Sequence, residues 1–310
     1  KYKLKGKHKE SAEPRILRRE AITVVGLGWL LCSLFAALPH SLGADGVSFD
    51  KAIFESCSGL TTTGSSIYPS VEDLSQTKLL WRSMTQWLGG MGILGAFLLI
   101  FSGETKGKTL LSFESSIHGA DLSSTDLRTA MRKLWQVYSL LTLICMLGLW
   151  AMDMTFFQAI NHALTTTSTG GFGTQNDSIT SFSDNIKLWL ILFMMLCGIS
   201  FPLYIAMWQK KCVSIIKRHE ETRTYLMIIL ISSLILIIGH HFSDSEVTTV
   251  DSVFNVVTII TTTGFASGDY ETWPVLSKQV IMLLMIVGGC SGSTAGGLKV
   301  SRILLWMRAM

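Results

Sequence analysis

Apolar residues along the chain gather into long blocks that are separated by short polar stretches, and several blocks match the thickness of a bilayer. This pattern predicts an all-α polytopic membrane protein. We expect Pro39 to end the first crossing helix and Pro202 to kink the fourth. The predicted crossing helices cover residues 21–38, 79–102, 134–154, 186–208, 225–239 and those from 275 onward.

Three shorter apolar segments lie between pairs of these helices, at residues 49–60, 156–167 and 250–260. Segments of this length are too short to cross a bilayer, so each is predicted to be a half-helix that enters the membrane and returns to the same side. A polar turn rich in threonine and glycine follows each one. Because lipid cannot satisfy the backbone of such a turn, the turn must be enclosed by protein or line a water-filled cavity.

The three turns indicate an internal repeat. Their glycines Gly64, Gly171 and Gly264 are 107 and 93 residues apart, and small and bulky positions before them also coincide. Aligned copies of this kind predict repeated membrane helix–re-entrant pore helix–filter turn–membrane helix units around an ion pore. The predicted organisation is a basic segment at 1–20, pore repeats at 21–102, 134–208 and 224–310, and cytoplasmic linkers at 103–133 and 209–223.

The charged residues, which make up only 15% of the chain, predict its orientation. The first twenty residues hold eight Lys or Arg against three Glu, so the N-terminus is expected in the cytoplasm by the positive-inside rule. Both linkers are also basic and are expected on the same side. The sequence begins with Lys1 and not with methionine, and we expect its natural start to be missing.

In this topology the outer side collects thirteen acidic residues against five basic ones, an excess of eight negative charges. A negative mouth concentrates cations. Sorting of basic residues to the cytoplasm would leave the same excess, so both explanations stay open. The acidic residues are Asp45, Asp50, Glu55, Glu72, Asp73, Asp153, Asp177, Asp184, Asp244, Glu246, Asp251, Asp269 and Glu271, and the basic ones are Lys51, Lys78, Arg82, Lys187 and Lys278.

The turns carry the candidate chemistry. Backbone carbonyls in a tight turn can replace the water of a dehydrated monovalent cation, and glycine permits the dihedrals that aim them inward. Threonine hydroxyls either hold the turn or add further oxygens. Helix ends that merely pack between the crossing helices are the alternative, and the pattern does not distinguish potassium from sodium. The predicted ion ligands are Thr62, Thr63, Gly64, Thr169, Gly170, Gly171, Thr262, Thr263 and Gly264.

The last crossing helix is interrupted from Gly288 to Gly297, where five of ten residues are glycine. This composition predicts an unwound segment at membrane depth. Because Leu298 separates Gly297 from Lys299, the segment does not match a phosphate-binding loop. The sequence also shows no nucleophile–base arrangement and no metal-ligand spacing, and its six cysteines are scattered. We therefore expect a protein that is not an enzyme.

These features together resemble the Trk/Ktr/HKT superfamily of potassium transporters, and most closely its bacterial TrkH branch. The resemblance covers nearly the whole chain. The matching motifs are Thr61-Thr62-Thr63-Gly64, Ser168-Thr169-Gly170-Gly171-Phe172, Thr261-Thr262-Thr263-Gly264-Phe265 and the broken segment with Lys299. The second repeat departs from the others, since it carries Gly170 where they carry Thr63 and Thr263, and any ligand there must be a backbone carbonyl.

The resemblance implies that K+ is the transported ion, that carbonyls at and before each glycine form the filter, and that the protein resides in the bacterial inner (plasma) membrane. It also implies a gating loop below the filter. The implied gate residues are Gly288, Gly289, Cys290, Ser291, Gly292, Ser293, Thr294, Ala295, Gly296, Gly297 and Lys299.

The same resemblance implies a homodimer and a cytosolic nucleotide-binding regulatory subunit of the TrkA type. The basic linkers could dock this subunit or lie beside membrane lipid headgroups, and no nucleic-acid partner is expected. The family has four repeats, so a closed pore is expected to need residues beyond Met310. Two other classes stay open, namely the potassium-binding subunit of an ATP-driven pump and an ion-coupled secondary potassium transporter.

Overall fold

A computed structural model describes residues 18–42, 46–102, 127–210, 219–243, 247–270 and 273–309, and the fold is given for these residues. They form eleven helices and no strand. The helices are α1 (Arg18–Ser41), α2 (Phe49–Leu60), α3 (Gln76–Ser102), α4 (Leu127–Ala151), α5 (Phe156–Thr167), α6 (Asp184–Cys197), α7 (Phe201–Lys210), α8 (Glu220–His241), α9 (Thr249–Ile260), α10 (Val275–Val287) and α11 (Val300–Ala309).

The three short helices α2, α5 and α9 have twelve residues each. The first two begin and end where the sequence predicts, and α9 begins one residue earlier. Side chains at their outer ends explain two of these starts: Thr155 forms a capping box with Gln158, and the Thr248 hydroxyl accepts from the Asp251 N–H.

Long apolar helices flank the short ones. The helices α1, α4 and α8 contain stretches that are long and apolar enough to cross a membrane, at Ile22–Ser41, Thr129–Ala151 and Glu220–His241. The all-α polytopic membrane fold predicted from the hydrophobic pattern is confirmed. Helix ends differ from the prediction by several residues: Pro39 lies inside α1 and does not end it, and α4 begins at Leu127, within the stretch that had been predicted as a linker.

The fourth crossing helix is broken, where a kink was predicted. The helix α6 ends at Cys197, α7 begins at Phe201, and their axes differ by 84°. Pro202 lies in the first turn of α7, where a missing N–H removes no helical hydrogen bond. The break therefore falls at residues 198–200, and the second repeat resembles the third in having an interrupted second helix.

Neighbouring repeats pack in a regular way. The second helix of each repeat lies against the pore helix of the next: α3 packs on α5, and α6 packs on α9. A buried apolar cluster includes Tyr138, Phe201, Tyr225 and Phe254, which come from the second and third repeats. The second helices thereby link each pore helix to the pore helix of the next repeat.

Candidate functional site

The three turns after the pore helices have the same backbone conformation. In the first turn the Thr62 N–H donates to the Gly59 carbonyl at 3.0 Å, and the Thr63 N–H donates to the Ser58 carbonyl at 2.9 Å. This is the Schellman pattern of a helix end. Corresponding residues agree within one degree of φ: Thr62, Thr169 and Thr262 have 55°, 54° and 55°, and Gly64, Gly171 and Gly264 have 80°, 79° and 80°.

A threonine in the left-handed conformation is the unusual part of each turn. Helices that end in this way commonly place glycine there, because a side chain in that region costs about 1–2 kcal/mol. Here Thr62, Thr169 and Thr262 all adopt it. A strained β-branched residue at the same place in three repeats is typical of a functional backbone rather than of a simple helix end.

The three turns stand side by side in chain order. A Cβ on Gly64 would overlap the carbonyl oxygen of Gly170, and a Cβ on Gly171 would overlap that of Thr263. The corresponding position on Gly264 has no described atom within 4 Å. The second turn therefore lies between the first and the third. Close approach, together with the positive φ, explains why the position is glycine.

Most of the hydroxyl groups in the turns hold the turns themselves. The hydroxyls of Thr61 and Thr63 are 2.8 Å apart, as are those of Thr261 and Thr263. In the second turn the Thr169 hydroxyl donates to the carbonyl of the preceding residue at 2.7 Å. Of the two roles that the sequence left open for the hydroxyls, these contacts favour support of the turn.

A buried polar residue of each pore helix supports the segment that follows its turn. Glu55, His162 and Asn255 each stand nine residues before the glycine of their repeat and are almost fully buried. Their partners lie three residues after the glycine: the Glu55 carboxylate accepts from the Ile67 N–H at 2.8 Å, His162 Nε2 lies 3.2 Å from the Thr174 hydroxyl, and Asn255 Nδ2 lies 2.9 Å from the Ser267 hydroxyl.

In the first repeat this support includes a buried ion pair. Arg82 Nε of α3 donates to Glu55 Oε1 at 2.7 Å, and its guanidinium lies 4.1 Å from the centre of the Phe172 ring in the second repeat. The charges of Glu55 and Arg82 therefore cancel inside the protein. Because one acid and one base cancel together, the excess of eight negative charges counted from the sequence is unchanged. Lys187 and Asp251 are likewise paired, at 2.8 Å.

The interruption of the last helix is a compact loop with a closed base. The Leu298 N–H donates to the Ile286 carbonyl and the Lys299 N–H to the Val287 carbonyl, both at 3.0 Å. The chain thus leaves the helix at Gly288 and returns beside its point of departure. Helical structure resumes at Val300, two residues later than predicted, and the Lys299 ammonium donates to the Ala295 carbonyl within the loop.

This loop, residues 288–299, contacts the third turn, the inner end of α5 and the break in the second repeat. The Gly296 N–H donates to the Thr262 hydroxyl at 2.6 Å, and the Thr294 hydroxyl donates to the carbonyl of Thr167, the last residue of α5, at 3.1 Å. At the break, the Cys290 N–H donates to the Gly198 carbonyl and the Phe201 N–H to the Gly292 carbonyl, both at 2.9 Å. The loop therefore joins two interrupted helices.

Glu221 joins the loop to the first turn of α11 and was missed by the sequence reasoning. Its carboxylate oxygen Oε1 accepts from the Ser291 N–H at 2.7 Å and from the Ser301 N–H at 3.1 Å. It lies in the first turn of α8 and is almost fully buried. A buried acid at the start of an apolar helix was the available signal, but its partners lie 70 and 80 residues away.

The fold and the aligned turns define the class of the protein: a polytopic membrane protein built from pore-helix repeats. The model of the TrkH family, described as a cation transport protein, matches residues 3–243 and 240–310, and the chain belongs to this family.

Named relatives agree with this assignment. The chain is 35% identical to the Trk system potassium uptake protein TrkH of Halomonas elongata, over 96% of this chain and 63% of that protein. It is 36% identical to the Trk system potassium uptake protein TrkI of the same organism, over 91% of this chain and 58% of that protein. The crystal structure of the potassium transporter TrkH from Vibrio parahaemolyticus matches with a TM-score of 0.79 at 30% sequence identity. The match covers 97% of this chain and 62% of that one. The chain thus spans about three fifths of the length of these relatives.

Proposed function

We propose that the protein conducts potassium ions across the bacterial inner membrane through a filter made by the three turns. The supporting observation is the shared backbone conformation of the turns, in which each glycine of the first two repeats lies against a carbonyl of the next. Relatives named as potassium uptake proteins support K+ as the transported ion. The proposed ligands are carbonyls of Thr62, Thr63, Gly64, Thr169, Gly170, Gly171, Thr262, Thr263 and Gly264.

A further segment is proposed to complete the ring of turns. Gly264 is exposed on the side where the next carbonyl would lie, and Thr63 is exposed at the other end of the row. The relatives are longer than this chain, which supports a fourth unit in the whole protein. Its carbonyl would face Gly264, and its glycine would face the Thr63 carbonyl.

The loop from Gly288 to Gly297, with Lys299, is proposed as the gate. Its hydrogen bonds to Thr262 and Thr167 support a position directly at the inner end of the filter. Its hydrogen bonds to Gly198 and Phe201 support a barrier that both broken helices build. Single hydrogen bonds join the loop to Thr262 and to Thr167, and a hydrogen bond contributes only about 0.5–1.5 kcal/mol, so the loop can exchange these partners as it moves.

Regulation is proposed to reach this gate from the cytoplasm. The exposed ion pair of Arg308 with Glu220 joins the end of α11 to the start of α8, next to Glu221. A TrkA-type nucleotide-binding subunit that moved either helix would disturb the contacts of Glu221 with Ser291 in the loop and with Ser301 in α11. A homodimer, contact with membrane lipid and a cytoplasmic N-terminus complete the proposal.

Isotope flux in liposomes tests this function. The purified full-length protein should admit potassium down its gradient in preference to sodium, without ATP. Uptake that strictly required ATP hydrolysis would identify a pump subunit, and uptake driven by a proton or sodium gradient would identify a coupled transporter. Equal fluxes of potassium and sodium would contradict the filter.

A further inference from the structure

Gln86 is a fully buried amide of α3 that reaches the filter turn of the second repeat. Its Nε2 donates to the Gly170 carbonyl oxygen at 2.7 Å, and its Oε1 accepts from the Phe172 N–H at 3.1 Å. These two backbone groups lie on either side of Gly171. One side chain therefore orients the peptide groups that flank the glycine of this turn.

The same space contains a threonine side chain in the other two repeats. Thr63 and Thr263 occupy the position of Gly170, and each pairs its hydroxyl with that of a threonine two residues earlier, at 2.8 Å. A Cβ on Gly170 would lie within 2.8 Å of all three atoms of the Gln86 amide group. The amide from α3 and a side chain at position 170 thus exclude each other.

The helix that packs against the third repeat offers no substitute for Gln86. Residues 188–197 of α6 contain no amide, hydroxyl or charged side chain. Next to this helix the turn keeps Thr263, whereas next to α3 it has Gly170. The absence of a side chain at Gly170 in the second turn therefore leaves the space that the Gln86 amide of the neighbouring repeat fills.

We propose that Gln86 is a positioning residue that sets ion selectivity at the second repeat, an inference that rests on the proposed potassium conduction. The Gly170 carbonyl oxygen shares its lone pairs between the Gln86 amide and any ion that it binds. Its direction is set by a side chain and not by the turn alone. The filter is consequently not symmetric, because the second turn is held across a repeat boundary.

Replacement of Gln86 by methionine tests the proposal. Methionine is close to glutamine in size but lacks both hydrogen-bonding groups, so the Gly170 carbonyl is released and the Phe172 N–H loses its partner. The potassium-to-sodium flux ratio should fall roughly five- to tenfold, the range that the loss of one or two hydrogen bonds supports. Gln158→Met, the same change at the outer cap of α5, is the matched control and should retain the parental ratio.

An exchange between the two positions separates positioning from folding. Gly170→Thr alone should lower the flux ratio, because the new side chain collides with Gln86. Combined with Gln86→Ala, the threonine gains room and can pair with the Ser168 hydroxyl, as Thr63 pairs with Thr61. The double variant Gln86→Ala/Gly170→Thr should therefore be more selective than either single variant.

A second readout covers variants that conduct poorly. Potassium and sodium are each added to detergent-solubilised protein, and the difference between the two shifts in Tm reports preferential binding. Should Gln86→Met not fold, Gln86→Glu keeps the shape and the acceptor but loses the donor to Gly170, and the same loss of preference is expected.

The outcomes distinguish this inference from the proposed function. A parent protein that does not prefer potassium overturns the proposed function itself. A selective parent whose Gln86 variants keep the parental flux ratio, or an exchange variant no better than the worse single variant, overturns the role of Gln86 alone. A reduced ratio that the exchange restores supports it.

Discussion

At the scale of single residues, the site depends on conformations and contacts that are unfavourable elsewhere. Three threonines adopt the left-handed conformation, and buried polar groups such as Glu55 and Gln86 lie directly behind the turns. Each is stable only because its partners are fixed. Strain and support at the same place indicate a backbone that is prepared in advance for its ligand.

The glycines of the filter should be intolerant of side chains. We expect Gly64→Ala and Gly171→Ala to reduce the potassium-to-sodium flux ratio by tenfold or more, because strain of about 1–2 kcal/mol at positive φ adds to the collision with a neighbouring carbonyl. Gly264→Ala should also reduce the flux ratio, here only because a side chain is strained at the positive φ of this residue. Gly26→Ala in α1, where an added Cβ meets nothing, is the control. Unchanged selectivity in all three filter variants would contradict the assignment.

The buried ion pair should matter more for stability than an exposed one. Arg82→Met leaves the Glu55 carboxylate buried without its cation, and removal of one partner of such a pair typically destabilises by about 3–5 kcal/mol. Arg308→Met removes one partner of an exposed pair and should change stability little. Thermal unfolding in detergent measures both. If Arg82→Met unfolds at the parental temperature, the pair does not support the filter.

At the scale of elements, two interrupted helices share one set of contacts. The loop after α10 and the break between α6 and α7 exchange backbone hydrogen bonds in both directions. The base of the loop is closed independently by the N–H groups of Leu298 and Lys299. The middle of the loop can therefore change without separating α10 from α11.

Shortening the loop should open the gate. Deletion of residues within 290–295 removes the hydrogen bonds to Gly198 and Thr167 but leaves the base intact. We expect higher basal potassium flux and weaker dependence on the regulatory subunit, with unchanged selectivity. A folded deletion variant that conducts no faster than its parent, and that responds normally to regulation, would exclude this loop as the gate.

Glu221→Ala provides a point substitution for the same test. Loss of its carboxylate frees the N–H groups of Ser291 in the loop and of Ser301 in the first turn of α11, so basal flux should rise. Glu220→Ala, the adjacent exposed acid, removes only the surface pair with Arg308 and should raise flux less. Equal effects of the two substitutions would argue against a specific role of Glu221.

At the scale of the whole molecule, each described repeat is in contact with the next and supports it. The second helix of one repeat lies against the pore helix of its neighbour, and polar contacts follow the same direction, from Arg82 to Phe172 and from Lys187 to Asp251. The exposed apolar side chains of α10, which include Met282, Leu283 and Ile286, are available for a fourth unit or for lipid.

Labelling of introduced cysteines tests the re-entrant topology. Ser48 and Asp73 flank α2 and its turn, so cysteines at both should react with an impermeant reagent applied from outside, whereas a cysteine at Arg308 should not. Cys32 and Cys57 are exposed and are replaced by serine in the background. If Ser48 and Asp73 react from opposite sides of the membrane, α2 spans the bilayer and the pore proposal fails.

The sequence alone predicts the parts of this protein that are encoded locally. The lengths of the pore helices, the alignment of the three turns on Gly64, Gly171 and Gly264, and the interruption at Gly288–Gly297 all follow from hydrophobic periodicity and from glycine placement. The ion ligands named from that alignment, and the gate residues implied by the family resemblance, remain predictions to be tested by flux.

Only the tertiary structure decided how the repeats support one another. The pairs Gln86–Gly170 and Glu221–Ser291 join residues that are 84 and 70 positions apart, and no periodic pattern marks them. The break at residues 198–200 escaped prediction because its backbone partners belong to the loop of another repeat. The local hydrophobic pattern of the sequence predicts which segments enter the membrane. Which polar groups meet there is determined by the packing of distant segments, because a buried polar group needs a hydrogen-bond partner and the fold can supply that partner from any part of the chain.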